Sequence, residues 1–337
     1  MNKLTDKSAY NISFCCGNKF IVNFTNNFAI MDINTPKNTF DFIYPQLKNC
    51  NNLFRSYDNS KSLLLNTTGQ GFLFDEDSQE IIKSRISFGK EFYRQHFVSH
   101  KNGYYFVDKN DKIEWFDIAT QKITKTDFFG NYFALFEDQN KNRAFFISID
   151  DYGTEQNEYG KYLPVGYSLS IKSFSKKNEK FEDWSFALPK GTLEYFRHIF
   201  GALYMVVLQE EKKNAQALIH TRVYLFDLET KNLTFLFDVD DFYTLDNEGY
   251  FVNLEIDLNH KRAYILYSNV LKIINLENLE ITSSVELKYA SGLKIISDTL
   301  VIATWKGVFT FKLSEFETAK ETVQQSVAGS VIAPDKH

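Results

Sequence analysis

The chain has 337 residues, enough for two ordinary domains or one large repetitive domain. Its net charge of −5 and pI of about 5.8 argue against nucleic acid as the main partner, because the chain lacks the basic excess that neutralises phosphates. No run of about 18 apolar residues is present, so the sequence predicts no membrane span. An aromatic fraction of 16% favours strands and large buried contacts.

The N-terminal segment and the cysteines indicate a cytoplasmic protein. MNKLTDKSAYNISF has no apolar stretch after its first lysine and does not resemble a signal peptide. Cys15, Cys16 and Cys50 lack metal-site spacing, and we predict that they are small buried hydrophobes in a reducing compartment. The sequence therefore predicts no metal and no cofactor.

One short motif recurs along the chain. It consists of an apolar run, an anchor that is most often Asp, a few polar residues and a second apolar run. The seven copies, in chain order, are FAIMDINTPKNTF, FLFDEDSQEII, IEWFDIATQKIT, LSIKSFSKKNEKF, VYLFDLETKNLT, LKIINLENLEIT and VFTFKLSEFET. Their anchors are Asp32, Asp75, Asp117, Ser173, Asp227, Asn275 and Lys312. We predict that an Asp or Asn anchor accepts hydrogen bonds from the backbone two residues on and so holds a tight turn.

Two strand-like runs precede each copy of the motif. The nearer run is almost continuously apolar, as in KFIVNF, ALYMVVL and TLVIAT, which is typical of a strand covered on both faces. The segment after each turn is more polar, as expected of an outer edge strand. Each repeat therefore predicts three strands, a turn and a fourth strand.

A four-stranded unit repeated seven times without helical periodicity resembles the seven-bladed β-propeller superfamily, in a divergent form near the YVTN, WD40-like or quinoprotein-like architectures. The WD and GH dipeptides of WD40 repeats are missing, so no functional motif is carried over. The predicted fold class is all-β, with a single propeller domain over residues 1–325 and a flexible tail at 326–337. The predicted blades cover about residues 11–46, 47–90, 91–130, 131–190, 191–240, 241–288 and 289–325.

The seventh blade lacks an obvious fourth strand. Residues 2–10 match the strand that follows the turn of the third blade, and residues 316–325 match the one that follows the turn of the sixth. Either segment could close the ring, and the sequence leaves both alternatives open.

Two connections between second and third strands are longer than the rest, namely residues 150–167 of blade 4 and 209–221 of blade 5. They lie on adjacent blades, beside the connector that begins at Asp238, and tyrosines and acids mixed in such loops suit a protein interface. A calcium site is disfavoured because the D-x-D-x-D-G spacing is missing. The predicted partner-binding residues are Asp150, Asp151, Tyr152, Glu155, Glu158, Tyr159, Tyr162, Glu210, Glu211, Asp240, Asp241 and, in the turn of blade 7, Trp305.

The sequence contains no local catalytic motif. His96 and His100 are four apart on a predicted strand, about 13 Å from each other and too far for one zinc ion. His198 falls on a first strand and is the candidate for a residue that lines the central channel. The first strands carry no repeated inward carboxylate.

The sequence favours a non-enzymatic scaffold, monomeric on its own, that binds a protein partner. A basic partner would suit the acidic pI, and one version is an inhibitor or immunity protein that covers a toxin. The alternatives are an enzyme or small-ligand binder that uses the channel, and a structural subunit of a larger assembly.

Overall fold

The computed structural model describes residues 2–16, 18–24, 28–34, 42–43, 50–58, 60–66, 69–75, 78, 80–88, 97–128, 132, 134–137, 142–151, 154–156, 162–164, 167–188, 192–199, 202–213, 216–243 and 250–316. These residues form seven four-stranded antiparallel sheets and one two-stranded sheet. The sheets are the blades of a seven-bladed β-propeller, which confirms the predicted fold class.

The strands of the first three blades follow the predicted order along the chain. An N-terminal strand comes first, β1 (Asn2–Thr5). Blade 1 consists of β2 (Ala9–Cys16), β3 (Lys19–Phe24), β4 (Phe28–Asp32) and β5 (Phe42–Ile43). Blade 2 consists of β6 (Cys50–Arg55), β7 (Lys61–Asn66), β8 (Gln70–Asp75) and β9 (Ile81–Ser87). Blade 3 consists of β10 (Phe97–His100), β11 (Gly103–Val107), β12 (Ile113–Asp117) and β13 (Ile123–Lys125).

The next two blades contain the longest strands. Blade 4 consists of β14 (Ala134–Glu137), β15 (Arg143–Asp151), the hairpin β16 (Thr154–Gln156) and β17 (Tyr162–Pro164), β18 (Tyr167–Ser175) and β19 (Lys180–Leu188). Blade 5 consists of β20 (Thr192–Ile199), β21 (Ala202–Lys213), β22 (Gln216–Asp227) and β23 (Leu233–Tyr243).

The last two blades are regular. Blade 6 consists of β24 (Phe251–Asp257), β25 (Arg262–Tyr267), β26 (Val270–Asn275) and β27 (Ile281–Glu286). Blade 7 contains β28 (Ala290–Ile296), β29 (Thr299–Thr304) and β30 (Gly307–Lys312), and a short 3-10 helix follows at Leu313–Phe316.

The chain divides into two compact units. Residues 1–49 and 246–337 form the first unit, which contains blades 1, 6 and 7. Residues 50–245 form the second unit, which contains blades 2 to 5.

The N-terminal strand supplies the fourth strand of blade 7. β1 pairs with β30 in antiparallel register, with Asn2 opposite Thr310 and Thr5 opposite Val308. This pairing selects the N-terminal segment from the two that the sequence left open. Residues 317–337, which include most of the other candidate, lie outside the described residues. Because β1 takes this place, Lys312 begins no turn: it ends β30 and leads into the 3-10 helix.

The Asp anchors of blades 3 and 5 hold their turns as predicted. The Asp117 Oδ1 atom accepts hydrogen bonds from the backbone amide and the hydroxyl of Thr120, at 2.6 and 2.9 Å. The Asp227 Oδ1 atom accepts hydrogen bonds from the backbone amides of Glu229 and Thr230, at 2.9 and 2.6 Å. These bonds replace the backbone partners that the chain loses where it reverses direction, and they lower the pKa of both carboxyl groups.

The predicted anchor of blade 4, Ser173, is wrong by two residues. Ser173 lies within β18, opposite Phe145 and Glu182. The turn begins at Ser175, whose carbonyl oxygen accepts a bond from the amide of Glu179 at 2.8 Å. A shift of two residues preserves the alternation of faces along a strand, so the apolar pattern did not distinguish the two serines.

Aromatic side chains fill much of the core between blades. In the second unit the ring of Phe88 meets those of Phe97, Phe106 and Phe116 edge-on, with centroids 5.1, 5.0 and 5.3 Å away. Edge-to-face pairs at such distances stabilise the core beyond their area burial. The high aromatic content therefore has a structural role in the blade interfaces.

Replacing Gly307 by alanine is expected to detach β1 from β30. The φ angle of Gly307 is +132°, and an added Cβ would lie 2.0 Å from the backbone oxygen of Thr5. We expect the free energy of unfolding to fall by about 2 kcal/mol or more, because both the clash and the backbone strain must be relieved. Urea denaturation checks the loss, and hydrogen exchange of residues 2–5 checks its location. Lys306→Ala in the same turn is the control. Full protection of those amides in Gly307→Ala would contradict the assignment.

Candidate interaction surfaces

Blade 4 continues beyond its first strand. β14 has 4 residues, whereas β15, β18 and β19 have 9 each. Among the residues that the structure describes, β14 pairs with β15 as far as Ala134 opposite Ile147. Residues 148–151, 167–170 and 185–188 pair as three strands of the blade 4 sheet, and the hairpin β16–β17 lies between residues 151 and 167 in the chain. We name these residues, with the hairpin at 154–164, the blade 4 extension.

The predicted residues of blade 4 are distributed over this extension. Asp150 and Asp151 lie in β15, opposite Ser168 and Tyr167. Glu155 lies in β16 and Tyr162 in β17. The prediction of a single loop over residues 150–167 was thus wrong for residues 150–151 and 167, and for residues 154–156 and 162–164, which pair as strands. Tyr152, Glu158 and Tyr159 lie outside the described residues.

Blade 5 is elongated in the same way. β21 and β22 have 12 residues each, twice the length of β25. Within the described part of the chain, β20 pairs with β21 as far as Thr192 opposite Leu208. Beyond that point residues 209–213, 216–220 and 240–243 pair as three strands, which we name the blade 5 extension. It projects about 17 Å past Leu208 at the usual rise of a strand.

The predicted loop at residues 209–221 is therefore strand. Glu210 and Glu211 lie in β21, opposite Ile219 and Leu218. Asp240 and Asp241, predicted to lie in a connector, belong to β23. Residues 214–215 alone separate β21 from β22. A polar strand that is held by hydrogen bonds to neighbouring strands need not alternate polar and apolar residues. Its sequence can therefore resemble that of a loop.

The two extensions belong to blades that pack on each other. Phe145, Ile147 and Ile171 of blade 4 share one core cluster with Leu203 and Met205 of blade 5. β15 and β21 are both second strands, and both extensions continue from the C-terminal ends of these strands. The extensions therefore project from the same end of the packed pair of blades.

A polar pocket of about 320 Å³ lies where blade 4 begins its extension. Ser148, Ser170 and Ser185 line it, together with Tyr132 and the pair formed by Lys172 Nζ and Asp183 Oδ2 at 4.0 Å. Burial raises the pKa of Tyr132, and the Asp183 carboxylate raises it further, so its hydroxyl keeps its proton near neutral pH. The base of the extension is thus rich in hydroxyl donors and acceptors.

Trp305 lies in the first unit and forms an aromatic patch with two tyrosines. Its indole stacks on the ring of Tyr289 at 5.0 Å and 14°, and the ring of Tyr10 lies 6.2 Å away. Tyr10, Tyr289 and Trp305 are 44%, 56% and 49% exposed. The sequence singled out Trp305 alone, because the partner rings come from segments far from it in the chain.

The backbone beneath the aromatic patch is held by hydrogen bonds. The amide of Trp305 donates to the carbonyl oxygen of Tyr289 at 3.1 Å, and the hydroxyl of Ser8 donates to the carbonyl oxygen of Trp305. The hydroxyl of Ser291 donates to the carbonyl oxygen of Ala9 at 2.7 Å. Tyr289 has a φ of +57°, a left-handed conformation that an L-residue with a side chain adopts only under constraint. The three segments that carry the exposed rings are therefore tied to one another by hydrogen bonds.

Two ion pairs of low exposure involve carboxylates on first strands, where the sequence predicted no repeated carboxylate. Glu137 ends β14 and accepts hydrogen bonds from Lys176 Nζ at 2.6 Å and from Ser99 Oγ at 2.9 Å. Glu255 of β24 accepts a bond from Lys294 Nζ at 2.9 Å. Both carboxylates are thus bound to lysines in the fold.

The histidines give no sign of a shared site. His100 is buried and stacks on Tyr105 with centroids 5.9 Å apart. Burial lowers its pKa, and Lys101 and Lys176 lower it further, so the ring is neutral near pH 7. His198 lies in β20 opposite Leu203, and His96 lies outside the described residues. Within the described ranges no group of three or more His, Cys, Asp or Glu side chains could hold a metal ion. The same residues include no helix long and apolar enough to cross a membrane.

Comparison with known proteins supports the fold and goes no further. No protein-family model and no curated protein matches the chain. The β-propeller domain of Myceliophteria thermophila Cps50 (Swd1) is similar in structure, with a TM-score of 0.62 and 10% identity over 92% of this chain and 99% of that chain. The computationally designed Ika8 protein has a TM-score of 0.55 and 10% identity over 91% of this chain and 97% of its own. At this level of identity the likeness is one of β-propeller architecture alone.

Proposed function

We propose that the chain is a protein-binding scaffold that holds a partner against the blade 4 and blade 5 extensions. The observation that carries the proposal is the pairing register: two consecutive, packed blades continue as three-stranded sheets past the point where their first strands end. Segments that project from a rigid scaffold are common sites of recognition.

The composition of the extensions favours a basic protein surface as the partner. Three lysines lie in the extensions, namely Lys161, Lys212 and Lys213, against eight acids in or beside them, namely Asp150, Asp151, Glu155, Glu158, Glu210, Glu211, Asp240 and Asp241. A negative surface speeds the approach of a positive one and rejects negative competitors. Tyr152, Tyr159 and Tyr162 would add broad apolar contacts with polar tips. One form of this function is an inhibitor or immunity protein that covers the basic substrate site of a toxin.

Shortening both extensions is expected to remove partner binding and leave the fold intact. Residues 152–166 are replaced by Asn-Gly, since Asp151 and Tyr167 already face each other across the hairpin. Residues 210–219 are replaced in the same way, which leaves Gln209 opposite His220. Tagged wild type should capture a stoichiometric protein from its native lysate, and the shortened variant at least tenfold less.

The controls separate loss of binding from loss of folding. Thermal unfolding of the shortened variant should stay near that of wild type, because both cuts leave paired residues at the new turns, Asp151 with Tyr167 and Gln209 with His220. A point variant outside the extensions, Ile281→Ala on blade 6, should capture as much partner as wild type. Equal capture by the shortened variant would refute the proposed site, and capture of nothing by wild type would refute the scaffold function.

A further inference from the structure

We propose that the aromatic patch of Tyr10, Tyr289 and Trp305 is a second docking surface, which binds an acidic peptide segment of a protein partner through its rings and the lysines beside them. This surface belongs to the first unit, whereas the blade 4 and blade 5 extensions belong to the second. A scaffold with two such surfaces would hold two chemically different ligands.

The rings are suited to binding because they are exposed and already ordered. Most large apolar side chains of the first unit are in its core, whereas these three rings are each about half exposed, and the ring of Trp305 is paired with each tyrosine ring. The stacked pair of Tyr289 and Trp305 offers a flat face on which a ligand side chain or peptide plane can lie. The constrained backbone beneath them means that little freedom is lost on binding.

The charges beside the rings differ in sign from those of the whole chain. Lys288 precedes Tyr289, Lys306 follows Trp305, and both are exposed. Among the residues that the structure describes, neither ammonium group has an ion pair or a hydrogen bond. Lys7 lies near the same turn, with its Nζ 6.0 Å from the ring of Phe24. Two acids lie in the segments that carry these rings and lysines, residues 6–10, 286–291 and 304–307. They are Asp6, which is paired with Lys3, and Glu286 at the end of β27.

Charge complementarity therefore selects a short acidic segment. Its carboxylates would lie against Lys288 and Lys306, and an apolar or aromatic side chain between them would stack on Trp305. A nucleic acid would also offer negative charge and flat rings. It is disfavoured because a net charge of −5 repels a long polyanion and the patch has few lysines to neutralise phosphates.

Selection from a random 12-residue peptide library displayed on phage tests the proposal, because it offers acidic, neutral and basic segments to the patch in competition. We expect wild type to enrich acidic peptides that contain an aromatic or large apolar residue. The best peptide, labelled with fluorescein, should bind at least tenfold more weakly to Trp305→Ala and to the double variant K288E/K306E. Its affinity should fall several-fold between 0.05 and 0.5 M salt, because exposed charges are screened.

Two further variants distinguish binding from stability. Tyr289→Gly removes a ring and suits the positive φ, so it should melt at or above the temperature of wild type and yet lose the peptide. Ile281→Ala, which changes a side chain 52% exposed on the same unit, should bind normally. Neutral or basic selected peptides, no enrichment over Trp305→Ala, or affinity within twofold of wild type in that variant would overturn the proposal. Binding of a ten-nucleotide oligodeoxythymidine in preference to the peptide would overturn it in favour of nucleic acid.

Discussion

Replacing Lys294 by methionine is expected to lower the free energy of unfolding by about 3–5 kcal/mol, the range for breaking a buried ion pair from one side. The Glu255 side chain is 3% exposed, and Lys294 Nζ lies 2.9 Å from its Oε1 atom. Methionine keeps the apolar stem and removes the charge, so the carboxylate loses its cation while it stays out of water. The pair joins β24 of blade 6 to β28 of blade 7, and the unfolding midpoint should fall by about 4–7 °C for a chain of this length.

An exposed pair of the same unit provides the matched control. Lys261 and Glu277 form an ion pair, and each side chain is more than half exposed. Lys261→Met should leave the midpoint within about 1 °C of wild type, because water already solvates both charges. In the double variant Lys294→Met/Glu255→Gln no charge is left buried, so part of the lost stability should return. Equal effects of Lys294→Met and Lys261→Met would contradict the structural role of the buried pair.

Replacing Lys176 by methionine is expected to destabilise the second unit by about 3 kcal/mol, near the lower end of the range for a buried pair. The Lys176 side chain is 1% exposed, whereas Glu137 is 22% exposed and can recover some hydration. The Lys176 ammonium group also lies 5.5 Å from the ring of Tyr57, a cation–π contact with blade 2. Through Ser99 of blade 3 and Glu137 of blade 4, the loss should affect three blades. Urea denaturation followed by tryptophan fluorescence measures it, since Trp115 and Trp184 lie in this unit.

Lys101→Met is the control for this unit. Lys101 contacts Glu179 on the surface, and both side chains are more than half exposed. We expect no measurable change in the unfolding midpoint. If Lys101→Met destabilised the protein as much as Lys176→Met, burial would not be the cause.

The repeat itself was predictable because its signals are local. Each apolar second strand is continuous over a few residues, as in β3 and β29, whose residues are almost all buried. Each Asp anchor forms its hydrogen bonds within three residues, as Asp117 and Asp227 do. Signals of such short range survive in a single sequence, and together they specify a four-stranded unit repeated seven times.

The shape of the predicted site was not predictable in the same way. Residues 209–213 carry two acids and two lysines, a composition typical of a loop. They form a strand because residues 216–220 pair with them and residues 240–243 extend the sheet, which depends on register and not on propensity. The position of the long segments was predicted, and their conformation was not.

Contacts between distant segments were invisible to the sequence analysis. Lys294 binds Glu255, and Lys176 binds Glu137. In each pair the carboxylate lies 39 residues earlier in the chain. Neither spacing belongs to a helix or a hairpin, so no pattern marks it. Tyr10 meets Trp305 because β1 joins blade 7 and places the start of blade 1 beside the last turn.

Site-specific photocrosslinking at the tip of the blade 5 extension tests the central claim most directly. A photoreactive phenylalanine is placed at position 215, between β21 and β22, and in a second variant at position 281 on blade 6. If the extensions bind a partner, irradiation in cells should join position 215 to one discrete protein, and position 281 to none. A crosslinked partner at position 281 and none at 215 would contradict the proposed binding site.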